Sequence, residues 1–337
     1  MRMCSTSSTA LKSRRTAALL GLTLIGAVLL SLCAGASGVS LWNGLSDLLW
    51  GHSTPAARII LHIRLPRTLA ALTSGAALAC AGVLIQGVLG NPLAGPNVIG
   101  VNAGAGFMTL LVSCLFPHAL RWLPWAAFAG ALGTSLLIFL LADRTGASRM
   151  TIILAGVTVS AILSSASDLI TSLAPEAALG MSSFMIGGFS GITYERLMNG
   201  VVYILPALFT SLLLARSLDL LGLGDDVAAS LGLRVRRMRL LLLGLASLLA
   251  GAAVSFSGLL GFVGLLVPHM VRRVTGSEHR YLLPLSALAG SAFVLLCDTA
   301  ARTLFAPYEL PVGILLSLIG GPFFLWLLLR QRKGGRA

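Results

Sequence analysis

Ten long apolar stretches dominate the chain, and short polar segments separate them. Most approach the ~20 residues that a helix needs to cross a membrane. The stretches are continuous rather than alternating, which argues against a β-barrel and predicts an all-α polytopic membrane protein. A break is expected at Pro268 in the short eighth stretch. Their approximate limits are 16–36, 66–88, 95–115, 122–142, 151–172, 195–217, 239–257, 260–276, 281–301 and 311–330.

Composition supports a single membrane domain. Hydrophobic residues make up 56% of the 337 positions and charged residues 10%, whereas a soluble domain carries roughly a quarter charged residues. The polar segments are too short to fold alone, so we expect one transmembrane domain over 16–330, with tails at 1–15 and 331–337. The five cysteines form no CxxC pair, so neither a disulfide framework nor a metal site is indicated.

The basic residues predict an orientation. If both termini lie inside, 18 of the 24 Lys and Arg residues fall on the inner side and 6 on the outer side. Cytoplasmic loops carry the Lys/Arg excess in membrane proteins. We therefore expect both termini on the cytoplasmic side, and we assign the net charge of +13 to membrane orientation rather than to nucleic-acid binding.

The N-terminus permits two interpretations. Lys12, Arg14 and Arg15 precede an apolar run that ends near Leu32, as in a signal peptide. However, Leu32 is too large for the residue before a lipoprotein cleavage site at Cys33, and the run nearly reaches spanning length. We expect an uncleaved first helix, with a signal peptide as the alternative.

Several catalytic and binding motifs are absent from the sequence. There is no GxxxxGK[ST] loop for ATP, no HExxH zinc motif and no GxSxG elbow. The residues alone therefore indicate neither a cofactor nor an enzymatic activity for this chain. Asp168 and Asp298 are expected near helix ends, and the scarcity of mid-membrane acids weakens a proton-driven carrier.

Small residues fill the second stretch from Gly75 to Gly82. Small side chains let helices approach closely in lipid, so helix packing is expected, with a role in lining a substrate route as the alternative. A similar string starts at Gly251, and the same offset relates Pro92 to Pro268. This echo suggests inverted five-helix halves, although chance could also produce it.

A turn is predicted directly after the second stretch. Gly90 and Asn91 come before Pro92, and Pro96 follows four residues later. Glycine, asparagine and proline end helices and reverse the chain. Asn91, Pro92 and Pro96 are therefore expected to be structural turn residues.

The longest inner loop, 218–238, contains a short helical pattern. Asp225 or Asp226 could cap it, and Gly232 could end it. Its apolar residues form one stripe: Val227, Ala228 and Leu231. This helix could rest on the lipid surface or fit a groove on a soluble partner, and the pattern does not separate the two.

Arginines on the expected outer side are the exception to the charge rule. Arg64 and Arg67 flank Pro66 at a helix start, and Arg302 follows Asp298 by four residues. Lipid phosphates could account for the first two arginines and an i,i+4 ion pair for Arg302. The forked guanidinium group also suits carboxylates of a docking protein.

Strings in these segments together resemble the permease subunits of type II ABC importers, the FecCD-like family that takes up iron–siderophore complexes, haem and cobalamin. The resemblance covers nearly the whole chain after the N-terminal tail. The strings are Arg64-Leu-Pro-Arg-Thr-Leu-Ala70, Gly82-Val-Leu-Ile-Gln86, Asn91-Pro-Leu-Ala-Gly-Pro96, Ala228-Ala-Ser-Leu-Gly232, Gly261-Phe-Val-Gly-Leu-Leu-Val-Pro-His269, Leu282-Leu-Pro-Leu-Ser286, Asp298-Thr-Ala-Ala-Arg302 and Glu309-Leu-Pro-Val-Gly313.

The resemblance implies about ten helices per subunit and a dimer with a second permease, the same or homologous. It implies cytoplasmic ABC ATPase subunits and an extracytoplasmic substrate-binding protein as partners. The implied docking residues are Arg64, Arg67 and Arg302. Ser148 resembles the inner gate. The implied coupling helix, which seats in the ATPase, involves Asp226, Ala228, Leu231, Gly232 and Arg234.

The expected function is therefore the membrane permease of an ATP-driven importer in the bacterial inner membrane. Its expected cargo is a ferric siderophore, with cobalamin or haem as alternatives. An ion-gradient-driven secondary carrier and a non-transporting scaffold or receptor are the alternatives from other classes. The sequence does not name the chelate or decide between a homodimer and a heterodimer.

Overall fold

The structure is a computed structural model that describes residues 3–34, 54–118, 120–144 and 149–334. The described residues form helices joined by short turns. The principal helices are α1 (Met3–Cys33), α2 (Pro55–Ile59), α3 (Leu65–Leu89), α4 (Val101–Leu115), α5 (Leu123–Arg144), α6 (Arg149–Leu173), α7 (Pro175–Ile186), α8 (Tyr194–Leu213), α9 (Ala215–Gly222), α10 (Asp225–Ser230), α11 (Val235–Ser257), α12 (Val263–Thr275), α13 (His279–Thr303) and α14 (Val312–Gly334).

Helix α3 is the centre of the bundle, and α11, α12 and α13 pack around it. Its glycines explain how closely these helices approach. A Cβ atom at Gly75 would clash with the backbone of Gly290 in α13, and one at Gly82 would clash with Gly264 in α12. The packing role predicted for the small residues of this stretch is confirmed.

The described helices run between two ends of the bundle. At the arginine end, which we define by Arg64, Arg67 and Arg302, the last residues of α13 contact Ser31 near the end of α1. At the opposite α10 end, His279 begins α13 and binds Asp219 of α9. Because α1 ends at the arginine end, its start lies toward the α10 end. Trp326, in the second half of α14, packs on Arg273 of α12, six residues before His279.

Seven of the described helices are long and apolar enough to cross a membrane, and two apolar helices, Val101–Leu115 and Val312–Leu327, are shorter. Each of the ten predicted stretches overlaps a helix, so the all-α membrane fold is confirmed. The predicted break at Pro268 is wrong because α12 continues through this residue. The irregular backbone lies just before α12, where Phe262 has a φ of 65°.

Candidate functional site

The turn after α3 lies at the α10 end. Gly90 ends α3 with a left-handed φ of 61°, a conformation that glycine adopts without strain. The side-chain oxygen of Asn91 accepts a hydrogen bond from the Leu93 amide at 2.9 Å. Pro92 follows in the loop, and Pro96 begins a 3₁₀ turn, Pro96–Ile99, that leads toward α4. A side chain at Gly90 would clash with Arg149, so the turn lies against the start of α6.

Arg64 and Arg302 bind the C-terminal end of α1. Arg64 donates to the carbonyl oxygens of Leu32 at 2.6 Å and Cys33 at 3.1 Å. Arg302 donates to the carbonyl oxygen and hydroxyl of Ser31. The last carbonyl groups of a helix lack partners within the helix. The two arginines supply donors for them and join α1 to α3 and α13.

Arg67 lies between two carboxylates. Its Nε and Nη2 atoms bond the Asp298 carboxylate at 3.0–3.2 Å, and its Nη1 atom bonds Glu309 at 2.7 Å. The side chain of Asp298 is fully buried, whereas that of Glu309 is 36% exposed. The predicted i,i+4 pair between Arg302 and Asp298 is present but long, at 3.8 Å.

The side chains of all three arginines are buried, which the sequence did not indicate. Arg64, Arg67 and Arg302 are only 3%, 7% and 3% exposed in the single chain, so neighbouring residues enclose most of each side chain. Their role in docking stays a prediction. Arg67 borders a cavity of about 240 Å³, and Glu309 lines it too. Glu309 lay within a quoted string, but its contact with Arg67 could not be inferred from a separation of 242 positions.

The predicted inner helix is present as α10. The predicted cap is wrong, because the helix begins after Gly224 without a side-chain cap. Asp225 instead binds Arg239 of α11 at 2.8 Å and lies 3.6 Å from Arg149 of α6. Arg149 also donates to the carbonyl oxygen of Leu221 at 3.1 Å. The start of α10 is therefore tied to the first residue of α6 and to α11.

One face of α10 packs inward and another stays open. Ala228 is fully buried, whereas Val227 is 46% and Leu231 59% exposed. Gly232 has a φ of 85°, which allows the chain to turn after the helix. Asp226 and Arg234 are exposed on either side of it. The helix thus presents a small apolar knob, Val227 and Leu231, with charged residues beside it.

Sequence inspection missed a polar wall on α6. Its residues follow helical spacing and line a cavity of about 380 Å³ together with Asn97 and Asn102. The hydroxyl of Ser160 is buried and has no hydrogen-bond partner among the described residues. The spacing of these polar residues in the sequence, three to four positions apart, could have indicated that they share one face of a helix. The wall residues are Ser160, Ser164, Ser167 and Asp168.

The predicted gate residue Ser148 lies outside the described residues.

Comparisons with known proteins identify the family. The model of the FecCD transport family matches residues 22–330. The chain is 39% identical to the hemin transport system permease protein HmuU of Yersinia pestis, over 94% of this chain and 96% of that protein. It is also 39% identical to the Fe(3+) dicitrate transport system permease protein FecD of Escherichia coli, over 92% and 97%.

A solved structure shares the architecture. It is described as an inward-facing conformation of a metal-chelate type ABC transporter, and it superposes with a TM-score of 0.82 at 32% sequence identity, over 92% of this chain and 97% of that one. The match favours an ATP-driven importer over the ion-gradient-driven carrier considered from the sequence. The chain therefore belongs to the FecCD transport family and is a membrane permease subunit of an ABC importer.

Proposed function

We propose that this permease carries a ferric siderophore across the bacterial cytoplasmic membrane, with haem or cobalamin as alternatives within the same importer class. Hemin and ferric dicitrate appear in the names of relatives at 39% identity, and a siderophore in that of a Bacillus subtilis relative at 35%. ATP hydrolysis takes place on separate ATPase subunits. A binding protein delivers the chelate outside the cell.

The α10 end is proposed to face the cytoplasm. The Lys/Arg distribution in the sequence supports this orientation, and it places both chain termini on the cytoplasmic side. A membrane-impermeant maleimide tests it on single-cysteine variants. Leu231→Cys should react only in inverted vesicles and Leu304→Cys only in intact spheroplasts, since both positions are well exposed. The reverse pattern would contradict the orientation.

The proposed coupling between the ATPase and the cargo cavity rests on the contact of Arg149 with Asp225 and Leu221. It connects the α9–α10 segment to the first residue of α6, and α6 bears the polar wall of the 380 Å³ cavity. When ATP closes the ATPase pair, the apolar knob of α10 moves with it, and this contact transmits the movement to the wall. Small shifts of packed helices are a known form of such switching.

The binding protein is proposed to dock at the arginine end through Arg67. A carboxylate of the partner enters the 240 Å³ cavity and replaces the partly exposed Glu309 on Nη1 of Arg67, while Asp298 stays bound to Nε and Nη2. Arg64 and Arg302 contribute positive potential from their buried positions beside α1. Charged groups arranged in this way steer partners and set specificity.

A second permease, identical or homologous, is proposed to complete the cargo route. Only 17% of the most apolar window of α6 is buried within the single chain, so most of this helix is available to a partner. The polar cavity on α6 would then lie between the two subunits. The inner gate at Ser148 stays a prediction.

Arg149→Gln tests the proposed coupling in proteoliposomes that contain the permease, its ATPase subunits and the loaded binding protein. ATPase binding should persist, but the cargo moved per ATP hydrolysed should fall, because the contact with Asp225 is weakened. Arg196→Gln, which changes an exposed arginine at the arginine end, is the control. An unchanged transport ratio in Arg149→Gln would contradict the coupling path.

Uptake of labelled ferric siderophore, haem and cobalamin in a deletion strain identifies the cargo.

A further inference from the structure

An apolar groove runs between α5 and α11, away from the residues used above. Its volume is about 400 Å³, and Leu136 and Leu140 form an exposed wall. At its floor, the hydroxyls of Ser135 and Ser247 donate to backbone carbonyl oxygens of their own helices. Because these polar groups are already satisfied, the groove offers a hydrocarbon surface.

Two glycines create this groove. A Cβ atom added at Gly133 or at Gly244 would meet nothing within 4 Å. From Leu132 to Asp143 the groove follows α5 for roughly 16 Å, which is about half of the ~30 Å hydrocarbon core. Both α5 and α11 are helices able to cross a membrane. The groove therefore has the depth of one leaflet and faces acyl chains.

Positive charge marks the α10 end of the groove. Arg236 and Arg237 lie four and three residues before the lining residue Leu240, and Arg144 lies four residues after Leu140. All three arginines are exposed. The Asp143 carboxylate binds Arg236 in a bidentate pair, so the cluster keeps an excess of positive charge. Basic pockets between membrane helices bind anionic lipid head groups.

We propose that this groove binds one anionic phospholipid from the leaflet at the α10 end. An acyl chain lies along Gly133 and Gly244, and the phosphate contacts Arg144 and Arg237. The site is separate from the cargo cavity and from the arginine end. It does not depend on the cargo proposed above. Its contacts with α5 and α11 would hold the two helices together beside the α10 knob.

Native mass spectrometry of the full-length permease, purified from vesicles of phosphatidylglycerol or phosphatidylcholine, tests the site. The wild type should retain one phosphatidylglycerol molecule more than the filled-groove variant Gly133→Leu/Gly244→Leu. Gly26→Leu is the control, because this exposed glycine of α1 also has open space around it. It should retain as much lipid as the wild type.

The variant Arg144→Gln/Arg237→Gln tests the charge and changes only exposed side chains. Its preference for phosphatidylglycerol over phosphatidylcholine should fall by about tenfold to thirtyfold, given the usual attraction of two arginines to an anionic surface. Equal retention of both lipids by the wild type would overturn the proposal, as would undiminished phosphatidylglycerol in the filled-groove variant.

Two other results would assign the surface to a protein. A change in oligomeric state of the filled-groove variant would make the groove an interface between permeases. Loss of ATPase binding by the arginine variant, with lipid preference unchanged, would place Arg144 and Arg237 at the ATPase. Either result overturns the lipid assignment.

Discussion

Arg67 and Asp298 lie 231 positions apart in the chain and form a buried, two-pronged ion pair between α3 and α13. The carboxylate of Asp298 is fully buried, while the third donor of Arg67 reaches the partly exposed Glu309. The bonds of Arg67 to Asp298 are therefore shielded from solvent, whereas another carboxylate could replace Glu309 on Arg67. This difference separates a structural role for Asp298 from the role of Glu309, whose place on Arg67 is proposed to pass to a carboxylate of the binding protein.

Asp298→Asn should strongly destabilise the permease. Among the described residues, the substitution leaves Glu309 as the acid that balances Arg67, Arg64 and Arg302, and breaking a buried pair costs about 3–5 kcal/mol. Thermal unfolding in detergent measures the loss. Glu195→Gln, an exposed acid at the same end, should change little. A loss below ~1 kcal/mol for Asp298→Asn would contradict the structural role.

Glu309→Gln should strengthen docking of the binding protein. The neutral amide holds Arg67 less firmly than the carboxylate, so an incoming carboxylate meets less competition. We expect a severalfold lower Kd at low salt, with the gain shrinking at high salt because charge interactions are screened. Surface plasmon resonance on the reconstituted complex measures the affinity, again with Glu195→Gln as control. Weaker or unchanged binding would exclude carboxylate exchange.

Leu231→Asp should weaken ATPase association. The exposed apolar knob of α10 would carry a charge into the proposed interface, and central apolar contacts of an interface commonly contribute more than ~1 kcal/mol each. A pull-down titration should show at least about a tenfold higher Kd. Leu304→Asp, equally exposed at the opposite end, should bind ATPase normally. If both variants bind alike, α10 is not the ATPase contact.

Gly82→Ala should destabilise the bundle. The added methyl group meets the backbone of Gly264, and overpacking of a core costs typically about 1–3 kcal/mol. Gly26→Ala has open space and should be neutral or slightly stabilising, since alanine favours helix. Thermal unfolding compares the two. Equal stability would show that α3 and α12 can move apart without cost.

Ser164→Leu should slow cargo uptake and leave ATPase binding unchanged. The leucine replaces a hydroxyl on the wall of the 380 Å³ cavity with an apolar group that cannot hydrogen-bond a chelate. Ser165→Leu is the matched control, because its neighbouring side chain is exposed but does not line this cavity. Uptake in proteoliposomes should fall severalfold only in the first variant. Equal uptake by the two variants would remove the wall from the cargo route.

The length and continuity of the apolar stretches predicted the helices well, because a chain in the membrane must form its backbone hydrogen bonds within each segment. The small residues of α3 likewise predicted its packing. Sequence could not reveal which groups meet across the bundle. The pattern allowed Asp225 or Asp226 to cap α10, but Arg239 and Arg149 lie close enough to bind Asp225. An ion pair with neighbouring helices prevailed over a local cap.

For the arginines at the arginine end, too, the sequence could not predict the contacts between helices. Their position against the charge rule indicated a special role, but the sequence could not show that the end of α1 and two carboxylates surround them. Arg302 was paired with Asp298 by local spacing, whereas the shorter bonds of Asp298 go to Arg67. Local spacing identifies neighbours within a helix, and tertiary packing decides which of them dominates.

ATP-dependent cargo uptake by proteoliposomes is the most direct test of the transport mechanism. The permease is reconstituted with its ATPase subunits and supplied with loaded binding protein, or reconstituted alone under an ion gradient. Uptake should require the ATPase subunits, ATP and the binding protein together. Equal uptake by the permease alone would contradict the assignment of its energy source to a separate ATPase.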